Sequence, residues 1–259
     1  MNVDRKFLDL FWAISGDDVE KRNVACKQLL SKLVDGEKKP KLQYLDYTRE
    51  RLVKGLRSFS NDARAGFSEA LVSVLQAYPE YNSLDQVMQL LTRHIYSVST
   101  SSKTEDVSLK HSYILCPKVL CNSERINELN LTQLEQIFKP LFSLYDYAPW
   151  GSDVLKLFVQ VVPKLSSKMI RKVFSDFTQK VWESFNQSDS DLLCEQLLFL
   201  FCVQCHMKGI QFSIDLSVKK FRRKFITAIT NSSGDLTSSL LRMAREQNTI
   251  QDIWLKLKG

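Results

Sequence analysis

Apolar residues return with the period of an α-helix along almost the whole 259-residue chain, and that periodicity limits the fold more than any other feature. Between Asn61 and Tyr78, the positions Ala63, Phe67, Ala70, Leu71, Val74, Leu75 and Tyr78 fall on one face of a single helix. Leu42, Leu45, Leu52, Val53 and Leu56 form a similar stripe upstream. Gly55 inside that stripe costs about 1 kcal/mol relative to alanine, which implies close helix packing or an early helix end. No segment alternates as a strand, and eight glycines with six prolines are too few for the many tight turns of a β-sandwich. The expected helices span roughly 4–14, 18–34, 42–57, 62–78, 84–98, 109–121, 131–147, 152–162, 167–185, 190–207, 216–230, 236–246 and 249–257.

Start signals agree with these stripes. Asp4, Asp17, Asn61, Ser83, Asn130 and Asp189 each stand where a side-chain oxygen can accept from exposed amides at the head of an apolar-periodic run. Asp17 followed by Glu20 has the spacing of a capping box. Short connections make successive helices antiparallel neighbours, so the segment from 18–34 through 84–98 reads as two or three stacked pairs. Pairs of about 40–47 residues are the HEAT and armadillo architecture. The expected class is all-α, HEAT/armadillo-like stacked helix pairs forming an α-solenoid with no sheet. No strict sequence repeat stands out, and an irregular helical bundle is the alternative. The polar stretch Ser97–Asp106 reads as a surface loop. It separates N-terminal helical repeats at 1–98 from further repeats with a basic end at 107–259, unless both form one continuous domain.

With 44% hydrophobic and 25% charged residues, the chain has the composition of a soluble globular protein, which excludes disorder and collagen-like order. Its most apolar run, Leu197–Val203, is far shorter than the roughly 18 residues of a membrane span and is expected to be a core helix. The opening MNVDRKFLDLFW is charged and amphipathic, so export is not expected. Six cysteines, four of them inside apolar helical patterns, suit a reducing compartment. Net charge is +7 and uneven: +2 for residues 1–100, −1 for 101–202 and +6 for 203–259. The last segment is where an acidic partner such as nucleic acid is expected to dock.

Motifs that carry chemistry elsewhere lack their context here. Cys202-Val203-Gln204-Cys205-His206 has the pattern of haem attachment or a redox pair, but it ends an apolar helix and belongs to no βαβ unit. His111, Cys116 and Cys121 lack the paired two-to-four-residue spacing of a structural zinc site. Gly16-Asp17-Asp18 and Asp189-Ser190-Asp191 have no sheet to converge their carboxylates on metal ions, and read as helix starts. Only His94, His111 and His206 are available as general bases, no Gly-x-Ser-x-Gly elbow occurs, and no phosphate-cradling glycine loop is present. No catalytic residue, metal or cofactor is assigned, and a nucleotidyl transferase is ruled against by the missing sheet.

The sharpest charge feature is Lys219, Lys220, Arg222, Arg223 and Lys224, interrupted by Phe221 and followed by Phe225. On a helix, Phe221 and Phe225 turn toward the core and the cations fan over the exposed side, making them candidate nucleic-acid-binding residues. The same cluster, and the weaker Lys38-Lys39-Pro40-Lys41, also fit a nuclear-import signal, and a plain solvated helix face is the bland alternative.

Two segments carry a family resemblance. The first is Phe11-Trp12-Ala13-Ile14-Ser15, continuing through Arg22, Ala25, Leu29, Leu30 and Leu33. The second is Tyr47-Thr48-Arg49-Glu50-Arg51-Leu52-Val53-Lys54-Gly55-Leu56, followed by Ser58, Asn61-Asp62-Ala63-Arg64, Gly66-Phe67, Ala70-Leu71 and Leu75. Together they resemble the Myb-binding protein 1A and DNA polymerase V (polymerase phi) family. The match is good over roughly Phe7–Ile95 and weak but collinear beyond, drifting around His111–Ile126. Within it, Gly55 and Gly66 read as points of close backbone approach, and Arg64, beside the apolar stripe, as an interhelical hydrogen-bond donor.

The resemblance implies a nuclear and nucleolar helical-repeat scaffold without catalysis, acting in ribosomal RNA production, ribosome biogenesis and transcriptional regulation. Its implied partners are transcription or ribosome-biogenesis proteins, with DNA or RNA as a further class, and neither membrane nor small-molecule substrate. Family members are several times longer, with acidic low-complexity regions and basic tails that these residues do not include. The alternative is a protein-only adaptor holding a partner's amphipathic helix.

Overall fold

The computed structural model describes residues 4–34, 40–187, 192–207, 214–216, 218–232 and 234–246. Among them are twelve α-helices and no strand, the one β-type pairing being the isolated bridge between Val34 and Pro40. The expected helix at 249–257, the acidic motif 189–191 with its proposed cap Asp189, and Lys38-Lys39 lie outside the described residues. The chain divides into two compact units, 1–137 and 138–259.

The first unit is built from α1 (Arg5–Ile14), α2 (Val19–Leu33), α3 (Leu42–Gly55), α4 (Asn61–Ala77), α5 (Leu84–Leu91), α6 (Lys103–Asn122) and the first half of α7 (Leu131–Leu144). They pair as antiparallel hairpins, α1 with α2 and α3 with α4, and the hairpins stack as the solenoid class requires. First helices lie against first helices: the Phe7 ring meets Tyr44 edge-on at 4.7 Å, Phe11 meets Tyr47 at 5.8 Å, and α3 packs on α5. Second helices follow the same rule, α2 on α4 and α4 on α6.

A repeat absent from the sequence reading becomes visible once the helix starts are known. The N-caps of α2, α4 and α6 are Asp18, Ser60 and Ser102, each 42 positions after the last, and each accepts a hydrogen bond from the amide three residues on. At the same interval Leu10 matches Leu52, Ile14 matches Leu56, Leu29 matches Leu71 and Leu33 matches Leu75, all buried. Ala25, Phe67 and Leu109 continue one buried position through three hairpins.

Two buried arginines share this register. Arg22 Nη1 donates to the carbonyls of Gly16 (3.0 Å) and Asp17 (3.2 Å); Arg64 Nη1 donates to those of Ser58 (2.6 Å) and Phe59 (3.1 Å). In both cases the residue four positions after the N-cap reaches back into its own hairpin connection and satisfies carbonyls that the helix cannot. Arg64 also donates to Asn61 Oδ1. Asp106 stands at the third equivalent position, so this clasp occurs in two hairpins only.

The contact between hairpins is equally regular. Gly66 on α4 lies so close to the end of α1 that a Cβ there would overlap the Ile14 carbonyl oxygen. At the position 42 residues on, Ser108 donates its hydroxyl to the carbonyls of Arg57 and Ser58 (3.2 Å to the latter), and Ser112 donates to Leu56 (3.1 Å). Gly55 and Gly66 therefore do not face each other: Gly55 makes room for the Phe67 ring instead.

Several expected boundaries are corrected. Asp18 rather than Asp17 caps α2, and Ser60 rather than Asn61 caps α4. Asp4 and Ser83 cap as expected, and Asn130 exchanges hydrogen bonds with Gln133 in a reciprocal box at 3.0 Å. The stretch Ser97–Asp106 is not all loop: α6 starts at Lys103, with Ser102 capping it and Glu105 accepting from the Ser101 amide (2.9 Å). Before that connection α5 ends in a π-turn, Thr92–Tyr96, closed by the Ser97 amide on the Thr92 carbonyl at 2.9 Å.

The second unit surrounds α10 (Leu193–His206), in which every residue from Leu193 to Val203 is buried, as an all-round apolar helix must be. Around it pack α8 (Trp150–Val161), α9 (Ser167–Gln187), α11 (Lys219–Asn231) and α12 (Gly234–Glu246). Rings from α7 to α10 interlock in the core, including Phe142 on Phe177 at 4.8 Å, Phe138 and Phe158 on Phe174 each at 5.0 Å, and Phe177 on Phe199 at 5.5 Å. Two polar side chains of α10 are buried with partners: Gln196 donates to Tyr145 Oη (2.9 Å) and Glu195 accepts from Ser152 Oγ (2.7 Å).

Candidate acidic-partner interface

The five clustered cations occupy the first turns of α11, which Val218 precedes without a side-chain cap. The apolar pair fixes the helix as its spacing requires: Phe225 is buried, 6.4 Å from the Phe201 ring, and half-buried Phe221 lies on Trp182 (5.6 Å) and Phe185 (6.2 Å).

The cations do not all fan outward. Lys224 Nζ donates to the Phe185 carbonyl at 2.6 Å and sits 5.0 Å over that ring, while Lys220 Nζ donates to Asn186 Oδ1 at 3.0 Å. Both act at the last turn of α9, where carbonyls lack helical partners and the macrodipole is negative. Lys220 and Lys224 therefore fasten α11 to α9. The sequence carried a signal for this, because each stands one position before a core-facing Phe and so borders the buried seam. Lys219, Lys220 and Arg223 are exposed and Arg222 is half-exposed; with Lys220 held by Asn186, Lys219, Arg222 and Arg223 present charge outward. Val218 (45% exposed) and Ile226 (40%) fall on the Arg222 stripe at i, i+4 and i+8.

The other motifs resolve into structure. Cys202 is buried, and burial pushes its thiol up to about 12; His206 Nδ1 lies 2.8 Å from the Cys202 carbonyl, and Cys205 is exposed. Burial likewise pushes the Cys116 thiol on α6 up to about 12. Among the described residues no three His, Cys, Asp or Glu side chains are grouped to hold a metal ion, and no helix is long and apolar enough to cross a membrane. Asp18 is held below its usual range chiefly by the Lys21 amide it caps. His94, on the π-turn, has Glu50 Oε1 3.5 Å from Nε2; burial first, then nearby Lys54, lowers its affinity for a proton.

These features define a class: an all-helical repeat protein whose buried polar groups serve its own connections and whose accessible chemistry is surface charge. The family described as DNA polymerase phi matches residues 47–246, and the chain belongs to it. A Myb-binding protein 1A-like protein of Danio rerio is 33% identical over 103 residues, which is 40% of this chain and 8% of that much longer protein. No solved structure matches. The family match begins at Tyr47, the first residue of the second segment that carries the resemblance.

Proposed function

We propose that this chain is a non-catalytic nuclear and nucleolar helical-repeat scaffold in ribosomal RNA synthesis, ribosome biogenesis and transcriptional regulation. It binds partner proteins and, through α11, DNA or RNA. The observation that carries the interface is the division of labour on that helix: Lys220 and Lys224 clamp it to α9, which holds Lys219, Arg222 and Arg223 toward solvent. Family membership and the printed name of the Danio rerio relative support the nuclear setting and the protein partners. The non-catalytic reading is supported by acidic side chains spent on caps and ion pairs, such as Asp18 with Lys21, Glu50 with Lys54, Asp106 with Lys110 and Glu128 with Arg125.

Binding of duplex DNA and ribosomal RNA across a salt series tests this. Each phosphate neutralised contributes about 0.9 to the log–log salt slope on a duplex, so a Lys219→Ala/Arg222→Ala/Arg223→Ala variant flattens it by up to about 2.7. Weak, salt-insensitive binding identical in both proteins refutes the α11 interface. The exposed Val218 and Ile226 favour a second reading, a protein-only adaptor that holds a partner's amphipathic helix. Purification of partners from cells with and without nuclease separates the two.

A further inference from the structure

A second cationic stretch of the described second unit accompanies α11. Between Asp153 and Asp176 the chain carries Lys156, Lys164, Lys168, Arg171 and Lys172 and no acidic residue, a bias hidden by acids elsewhere in the near-neutral segment 101–202. Lys156 faces buried Glu195 at 3.6 Å, whereas Lys168, Arg171 and Lys172 are exposed on the first turns of α9. At 3.6 residues per turn, Lys168, Arg171, Lys172, Ser175, Trp182 and Asn186 fall within one arc of about 100° on that helix. Trp182 and Asn186 receive α11 through the Phe221 ring and Lys220, together with Phe185 just outside the arc, which takes the Phe221 ring and Lys224. Lys168 and Asn186 are thus about 27 Å apart along α9 for eighteen residues of helical rise, with α11 and its outward cations seated at the Asn186 end. Asp176 and Glu183 lie beyond the edge of the arc, and Glu183 accepts from Gln179 Nε2 at 2.8 Å.

We propose that this face is a two-ended stripe that grips the phosphate backbone of a nucleic-acid duplex, with Lys168, Arg171 and Lys172 at one end and Lys219, Arg222 and Arg223 at the other. The second end rests on the α11 reading given above. A duplex fits better than a single strand because the stripe lacks an exposed stacking platform: its aromatics Trp182 and Phe221 are half-buried against each other. The α9 rise from Lys168 to the seat of α11 is shorter than one duplex turn of about 34 Å, so both ends can meet one stretch of backbone. Contacts made only by ammonium and guanidinium groups to phosphates are indifferent to sequence.

The test compares the wild-type chain with Lys168→Ala/Arg171→Ala/Lys172→Ala and Lys219→Ala/Arg222→Ala/Arg223→Ala variants. The probes are 20-base-pair DNA and RNA duplexes of two unrelated sequences and a polyglutamate peptide, each titrated from low to physiological salt. Either triple substitution flattens the duplex salt slope by about 2 to 3, equally for both sequences, with an unchanged thermal midpoint. A Lys168→Gln/Lys172→Gln chain, which alters charge alone, flattens it by about 2. An effect of the α11 variant alone overturns the stripe and leaves the α11 interface standing. An effect of the α9 variant alone overturns both, and polyglutamate binding as tightly as the duplexes overturns the choice of partner.

Discussion

Replacing Arg64 with alanine removes the donor that two carbonyls of the α3–α4 connection share. The guanidinium is 6% exposed and donates to Ser58 and Phe59 at 2.6 and 3.1 Å, besides Asn61 Oδ1. A hydrogen bond from a charged donor contributes about 1.5–3 kcal/mol, but these share one group and water re-enters part of the connection, so the expected loss is about 3–4 kcal/mol rather than the sum. For a cooperative unit the size of residues 1–137, unfolding entropy of about 2.1 cal/mol/K per residue converts that loss to a fall in Tm of about 10–14 °C. Arg22→Ala, with donor distances of 3.0 and 3.2 Å in the same register, loses a similar amount. Arg64→Lys keeps the charge without the fork and recovers less than half. Calorimetric melting of the three variants reads all of this. A fall below about 3 °C for Arg64→Ala, or full recovery by lysine, refutes the clasp.

Gly66→Ala forces α4 away from the Ile14 carbonyl and destabilises the first unit by about 1–3 kcal/mol despite alanine's better helix propensity, measured by urea unfolding. His94 titrates below its ordinary value of 6.5 in the fold, so the unfolded chain takes up the proton first as pH falls. Stability of the first unit is therefore fully present above that value and declines as pH is lowered through it toward the folded value; His94→Gln removes that slope from a melting series between pH 7.5 and 5.5. Iodoacetamide at neutral pH is expected to label exposed Cys205 in the native chain and to reach Cys116 and Cys202, whose buried thiols titrate near 12, only on unfolding, read by mass spectrometry of the peptides.

The helices were legible because their apolar faces are long and regular, as in 61–78, where Ala63, Phe67, Ala70, Leu71, Val74, Leu75 and Tyr78 are all buried as the spacing requires. Their starts were less so. Asp17 and Asp18, like Ser60 and Asn61, are adjacent residues either of which can cap, and the choice falls to the one four positions before the clasping arginine. The repeat is faint in the sequence because identities such as Leu29 with Leu71 and Arg22 with Arg64 are scattered among changes: Phe11 corresponds to Val53, Ala25 to Phe67 and Arg64 to the oppositely charged Asp106. In the candidate interface, composition located the cations but not their rotation about α11, which depends on where α9 ends. The α9 cations vanished into a segment sum, since charge totals discard which face a residue occupies.

The clasp also separates two duties that loops often combine. Arg22 and Arg64 hold their connections from inside through main-chain carbonyls, which every residue possesses, while the Phe59 side chain at such a tip is 66% exposed. Tip side chains are thereby released from maintaining the frame, and lineages can rewrite them to greet new associates without renegotiating the scaffold beneath.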